Sequence, residues 1–217
     1  MRYFLEKFEE TYDSKENPFG FFSDDNFKYY PDTGTHIGAD FRVAVGTPVF
    51  APAVGELYEA KFNPYKGNIG IYIFKHGGVE WGLELCHLKE LPKKGKYEEG
   101  EIIAYSGKTG KSITGPHVHA VLHRNAWVTK NYGEMHTGGR ERFLELEKEG
   151  RIVNCYEWFC TNIKEEAEEE PKPESISKPK SPSPKIKSPD GIITCNNPET
   201  KSILGIIKRL LNHFVGR

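Results

Sequence analysis

A mainly β fold, an antiparallel sheet with short peripheral helices and a C-terminal amphipathic helix, is what this sequence predicts. Three observations predict it. Between His36 and His123 the chain breaks into six short runs of strand texture punctuated by Gly and Pro. One short helical run follows, at Arg140–Lys148. The last stretch, after a Pro-rich segment, repeats its apolar residues at helical spacing. Six short strands separated by turn residues suggest a sheet that is partly closed or sandwiched.

The first 30 residues are aromatic and polar without clear periodicity, and Asn17-Pro18-Phe19-Gly20 marks a turn. Asp40–Val45 alternates, Gly46-Thr47-Pro48 turns, and Val49–Val54 follows before Gly55. Gly70–Lys75 is a strand ending at the turn His76-Gly77-Gly78, with His76 an ordinary turn residue. Trp81–Cys86 is its antiparallel partner, and Glu101–Tyr105 and Val118–Leu122 add two more strands. Gly150 stops the helix of Arg140–Lys148, and Cys155–Cys160 is expected to pack back on the domain with its aromatics in the core.

Composition shifts sharply after residue 163. The stretch 164–191 holds six of the fourteen prolines, a glutamate run and then alternating Lys, Ser and Pro. Such a segment buries too little apolar surface to offset its ordering entropy, so it is expected to be a disordered linker. In residues 192–217, Asn197-Pro198 offers a helix start. Ile203, Ile206, Ile207, Leu210, Leu211 and Phe214 then form one face, with Lys201, Lys208, Arg209 and Asn212 on the other. This basic amphipathic helix is suited to docking on the domain, to another chain, or to peripheral contact with an anionic membrane.

Hydrophobic residues at 37% and charged residues at 28% describe a soluble globular chain, long enough for one ordinary domain plus extras. The formal net charge of -1 argues against a nucleic-acid partner gripped through its phosphates. No apolar run is long enough to span a bilayer as a helix. Cys86, Cys155, Cys160 and Cys195 contain no CxxC pair, which counts against cysteine-rich zinc binding, and all four are expected as reduced thiols. The N-terminus lacks the basic start and apolar stretch of a signal peptide, so work outside the cell would need another route of release, or an upstream segment missing from the sequence.

The chemistry-bearing residues begin with His117-Val118-His119. On a strand, residues two apart face the same side, so both imidazoles converge. His36-Ile-Gly-Ala-Asp40, at the start of a strand, sets an imidazole and a carboxylate where both can face one cation. Imidazole nitrogen and carboxylate oxygen are ordinary zinc ligands, and three protein ligands with an open position suit catalytic zinc.

Together, His36-x-Gly-x-Asp40, Gly46-Thr-Pro-Val49, Ala53-Val-Gly55, Gly67-Asn68, Cys86-His87-Leu88, Ser106-Gly-x-Thr-Gly110 and Gly115-Pro-His-x-His119 resemble the lysostaphin-type zinc metallopeptidases, over roughly residues 17–125. The resemblance implies a compact, barrel-like antiparallel peptidase domain within residues 1–163, with one Zn2+ in a groove across the sheet. It implies His36, Asp40 and His119 as zinc ligands and His117 as general base. His87 is implied as a second histidine that stabilises the charged intermediate or assists proton transfer. The implied substrate is the peptide part of peptidoglycan, and the implied activity is that of a cell-wall endopeptidase such as a phage lysin. His123 shares the strand parity of His117 and His119 and is expected at most to line the cleft. Two departures stand out: Ala104 replaces a common glycine, and Glu84-Leu85-Cys86 precedes His87 where the family often has an aromatic or small residue. A non-catalytic binding or activator module, a sugar-transport phosphocarrier, and a zinc peptidase acting on proteins are the competing readings. Retention of all five site residues opposes the first, and Asp40 opposes the second.

Overall fold

Side chains alternate across a strand, so the register of pairing decides which residues share a face. The computed structural model describes residues 1–13, 18–23, 34–111, 113–125 and 139–168. In chain order its elements are α1 (Phe8–Thr11), β1 (Ala39–Arg42), β2 (Pro48–Phe50), β3 (Gly55–Asn63), β4 (Gly67–His76), β5 (Val79–Leu88), β6 (Gly95–Tyr97), β7 (Ile102–Tyr105), β8 (His117–Arg124), α2 (Gly139–Lys148), β9 (Ile152–Val153) and α3 (Cys155–Glu168). The main sheet runs β1-β8-β5-β4-β3-β6, with β9 pairing to β8, and β2 and β7 form a separate two-stranded sheet. Every pairing is antiparallel.

The mainly antiparallel β fold is as expected, with β3, β6 and β9 added to the six expected strands. The run Val49–Val54 is shorter than expected, since β2 ends at Phe50. Pro52 limits it, because a proline has no N–H to give to a ladder.

In register, Asp40 lies beside His119, and His119 beside Cys86. Phe41, Val118, Ala120, Leu83, Leu85, Tyr72 and Phe74 therefore face the other way, and all are buried. The N-terminal segment covers that opposite face. Phe4 meets Phe41, Phe8 and Phe159 with ring centroids 5.1, 5.4 and 5.4 Å apart, and Phe8 stacks on Tyr156. α3 supplies Phe159 and Tyr156, as expected of aromatics that fill a core. Asn154 starts this helix, its Oδ1 accepting the N–H of Tyr156 at 3.1 Å. α3 continues to Glu168 into the stretch expected as linker, where Ala167 and the glutamates are good helix formers.

On the site face, Phe143 and Leu146 of α2 pack with Ile37, Val121 and Ile152. One expectation about the cysteines is corrected: Cys160 is disulfide-bonded, whereas Cys86 and Cys155 are free and buried. The rest of the expected linker and the C-terminal helix lie outside the described residues.

Phe4 is fully buried in the aromatic cluster although it lies outside any strand. Phe4→Ala is therefore expected to destabilise the domain by about 3–5 kcal/mol, measured by denaturant unfolding. A loss below about 1 kcal/mol would show that the N-terminal segment is not part of the core.

Candidate active site

Three donor atoms converge where β1 and β8 lie side by side. His36 Nε2 is 3.3 Å from Asp40 Oδ1 and 3.1 Å from His119 Nδ1, and His119 Nδ1 is 2.8 Å from Asp40 Oδ1. These are the residues expected as metal ligands, and among the described residues they form the group able to hold an ion. The ligand atoms of a tetrahedral zinc at 2.0–2.1 Å lie roughly 3.3 Å from one another, so the donor set fits zinc by spacing as well as by type. His36 Nδ1 faces the carbonyl oxygen of Pro18 at 3.3 Å. Donation of that N–H leaves Nε2 as the lone-pair donor, the usual outer support of a ligating histidine.

The backbone around these ligands is tight. A Cβ on Gly38 would sit 2.7 Å from the His119 ring, so the glycine inside the His36–Asp40 motif is what lets β1 lie against its partner ligand. The turn at Pro18–Gly20 wraps the first ligand, with Gly20 N–H donating to His36 O at 2.7 Å and His36 N–H to Phe21 O at 2.9 Å.

His117 and His87 stand beside the cluster. His117 Nε2 is 3.6 Å from Asp40 Oδ1, while its Nδ1 donates to Gly115 O at 3.0 Å. His87 reaches the same place by an irregular route. Cys86 lies on the site face, so strict alternation would turn His87 to the opposite side. The ladder instead jumps from Asn68 beside Leu88 to Gly70 beside Leu85, which sets Cys86 and His87 against Ile69 alone. That bulge re-aims the strand end. His87 takes φ +61°, a left-handed conformation uncommon for a non-glycine residue, and its ring centroid lies 4.7 Å from that of His117.

The glycine-rich loop after β7 holds His87 there. His87 Nδ1 donates to Thr109 O at 2.9 Å. Thr109 Oγ1 donates to Leu88 O at 2.8 Å and accepts the Asn68 N–H at 2.9 Å. Gly107 makes this approach possible, since a Cβ there would strike the backbone of His87, Leu88 and Lys89. Thr109 and Pro18 are site-supporting residues whose roles spacing did not reveal. The Ser106-Gly-x-Thr-Gly110 motif pointed to the loop, and only the fold shows what Thr109 touches.

Electrostatics follow from burial. Burial works to raise the Asp40 carboxyl, but the charge and hydrogen bonds of His36 and His119 outweigh it and hold the group well below the usual carboxylate range. Burial pushes His119 down despite the nearby Asp40. His87 is pushed down to about 3, first by burial and then by the charges of His119 and His117, so it is neutral at pH 7. With Nδ1–H given to Thr109 O, the neutral His87 ring presents an unprotonated Nε2, and the bond of His117 Nδ1 to Gly115 O leaves its Nε2 beside Asp40. Two imidazoles thus stand beside the three residues able to share a metal ion.

His123 lies on the site face in register with Gly82 and is buried, with no hydrogen bond to either ring nitrogen among the described residues. Burial lowers its pKa from 6.5 to about 4. The unfolded chain therefore binds the extra proton first, and stability is lost as pH falls from about 6.5 toward about 4. His123→Leu is expected to flatten that loss and to stabilise the protein by about 1–3 kcal/mol at pH 7. Unfolding midpoints measured between pH 4 and 7 check this, and an unchanged pH slope in the variant would contradict it.

The sequence pattern of Peptidase family M23 matches residues 34–131. Over 88 residues the chain is 39% identical to the peptidoglycan DD-endopeptidase ShyA of Vibrio cholerae, covering 40% of this chain and 20% of that protein. It is 40% identical over 89 residues to lysostaphin of Staphylococcus simulans, covering 40% of this chain and 17% of that one. The chain thus spans about a fifth of the length of these curated relatives. Among solved structures, the catalytic domain of S. simulans lysostaphin is 32% identical, over 43% of this chain and 70% of that one, with a TM-score of 0.37. Cbpa from L. salivarius REN is a likeness of fold alone, with 14% identity and a TM-score of 0.50 over 76% of this chain and 97% of that one.

Proposed function

This chain belongs to peptidase family M23, and on that premise we propose that it is a zinc-dependent endopeptidase that hydrolyses the peptide cross-links of bacterial peptidoglycan. The observation that carries the proposal is the convergence of His36, Asp40 and His119 with two further histidines in one cleft. Support for the substrate comes from relatives named as peptidoglycan DD-endopeptidases, ShyA and ShyC of Vibrio cholerae.

His36 Nε2, Asp40 Oδ1 and His119 Nδ1 would hold the ion. When bound, it supplies Lewis acidity toward the scissile carbonyl and makes a water molecule more acidic. The remaining work belongs to the chain's own side chains. His117, with Nδ1 tied to Gly115 O, offers Nε2 beside Asp40 to accept a proton from the attacking water. His87 Nε2 is equally an acceptor while the ring is neutral, so its role is proton transfer, and it assists an oxyanion only once protonated. The return of a proton from either ring to the departing amine completes hydrolysis. The bulge and Thr109 hold His87 within reach of His117, which spares the reaction the search for that geometry.

A site of action at the cell wall is part of the proposal. Contact of the amphipathic segment 192–217 with an anionic membrane or another chain is part of it too, supported by the spacing of its apolar and basic residues.

Zinc-loaded protein incubated with purified sacculi is expected to release fragments opened at peptide cross-links, identified by mass spectrometry. His117→Ala is expected to lower the rate by about 10²–10⁴ while still binding one zinc per chain. Separately, His36→Ala is expected to abolish stoichiometric zinc, read by metal analysis. Intact sacculi of several wall chemistries, despite bound zinc, would turn the reading toward a protein substrate or a binding role.

A further inference from the structure

β3 is a sheet edge for the second part of its length. β6 pairs with it only from Gly55 to Leu57, and among the described residues no strand pairs with the outer side of Tyr58–Asn63. On the inner side the ladder is regular once past the shift between Leu57 and Glu59. Glu59 lies beside Ile71, Ala60 beside Gly70, Lys61 beside Ile69 and Phe62 beside Asn68. In an antiparallel ladder alternate residues turn their N–H and C=O groups to opposite sides, so such an edge offers a row of donors and acceptors to another strand.

The side chains along this edge are unusual for an edge left open to solvent. Glu59 and Lys61 share the site face with Ile71 and Ile69, and Lys61 Nζ lies 2.8 Å from Glu59 Oε1. Phe62 alternates to the opposite face and is 61% exposed, while Tyr58, at the shift in register, is 45% exposed. A lysine on an edge ordinarily guards it against pairing with another chain. Here the guard is cancelled by symmetry. From Tyr58 to Phe62 the edge runs aromatic, acid, alanine, base, aromatic. Such a run complements itself when reversed. Two copies set antiparallel about Ala60 bring Glu59 of each opposite Lys61 of the other, and Tyr58 of each opposite Phe62 of the other. Opposite charges and aromatic pairs directly across a ladder favour it, and like charges oppose it.

We propose that this edge pairs with the same edge of a second copy, in register about Ala60, to form a homodimer through one continuous sheet. The contact is isologous, as a two-fold dimer requires. Because Glu59 and Lys61 both lie on the site face, pairing them sets the site faces of the two copies on the same side of that sheet. Five paired residues per copy make a contact that is small beside the roughly 1,200–2,000 Å² of stable interfaces, so the dimer is weak and depends on concentration.

Sedimentation of the full chain from about 5 µM to about 500 µM is expected to show the mean mass rising from one copy toward two. Lys61→Glu puts like charges opposite each other and is expected to leave a monomer across that range. Glu59→Lys is expected to do the same. Mixed in equal amounts, the two variants meet with opposite charges at both positions and are expected to associate as the parent does. An ion pair this exposed contributes little to stability, and unfolding midpoints close to the parent's check that both variants fold. Phe62→Ser, on the other face, tests the edge without touching charge. It is expected to move association to concentrations at least about tenfold higher. A parent that stays monomeric, association that persists in both single variants, or a mixture that fails to associate would overturn the pairing.

Discussion

The arrangement depends on one register: β1 against β8, with Asp40 beside His119. Shifting either strand by a single residue would turn a ligand to the opposite face and put Phe41 or Val118 in its place. The aromatic cluster prevents that slip. Phe41 is fully buried against Phe4 and Phe8, so the burial that stabilises the back of the sheet fixes the ligand positions on its front. Gly38 then lets the two strands close to the distance at which three donors meet. Core packing and metal geometry are here two faces of one constraint.

The second constraint is a departure from regularity. A sheet whose alternation was perfect could present Asp40, His117, His119 and Cys86 together but not His87. The bulge in β5 places it, and a left-handed His87 is tolerated because three segments tie it down. Lys66 O receives its N–H, Thr109 O receives its ring proton, and Asn68 and Thr109 both anchor the neighbouring Leu88 O. A strained backbone of this kind costs on the order of 1–3 kcal/mol and persists only where surrounding contacts over-determine it. The glycine-rich loop is thus a clamp on a side chain, and Gly107 is its point of closest approach.

Much of the candidate site's convergence was legible in the sequence, because side chains able to share a metal ion need particular types at short spacings. His36 and Asp40 at four apart, and His117 and His119 at two apart, converge as soon as β1 and β8 pair. The direction of His87 was not legible, since a bulge leaves no mark in residue type. β3 was missed for a different reason. Its sequence, Gly-Glu-Leu-Tyr-Glu-Ala-Lys-Phe-Asn, mixes helix formers with an incomplete alternation, and pairing with β4 overrides that propensity. The N-terminal segment gave no periodic signal because Phe4 lies outside regular structure, and a contact made from a loop has no period. The disulfide of Cys160 lay beyond sequence reasoning, since connectivity depends on which thiols the fold brings together.

The polar residues of the site face fall into two kinds, and the difference bears on how such a cleft is built. Asp40, His36 and His119 bring their donor atoms within 3.3 Å of one another, so a shared cation would compensate their burial. His123 has no such compensation among the described residues, and the Glu84–Lys66 pair sets a fully buried carboxylate in apolar surroundings. Groups left polar in an apolar floor lower stability, and apolar replacements at these positions would pack at least as well. Their cost is compatible with folding because the aromatic core behind the sheet supplies stability from a face that does no chemistry. The fold thus separates two demands that conflict when they share residues: one side of each strand is chosen for packing, and the other is free to be chosen for what it can bind.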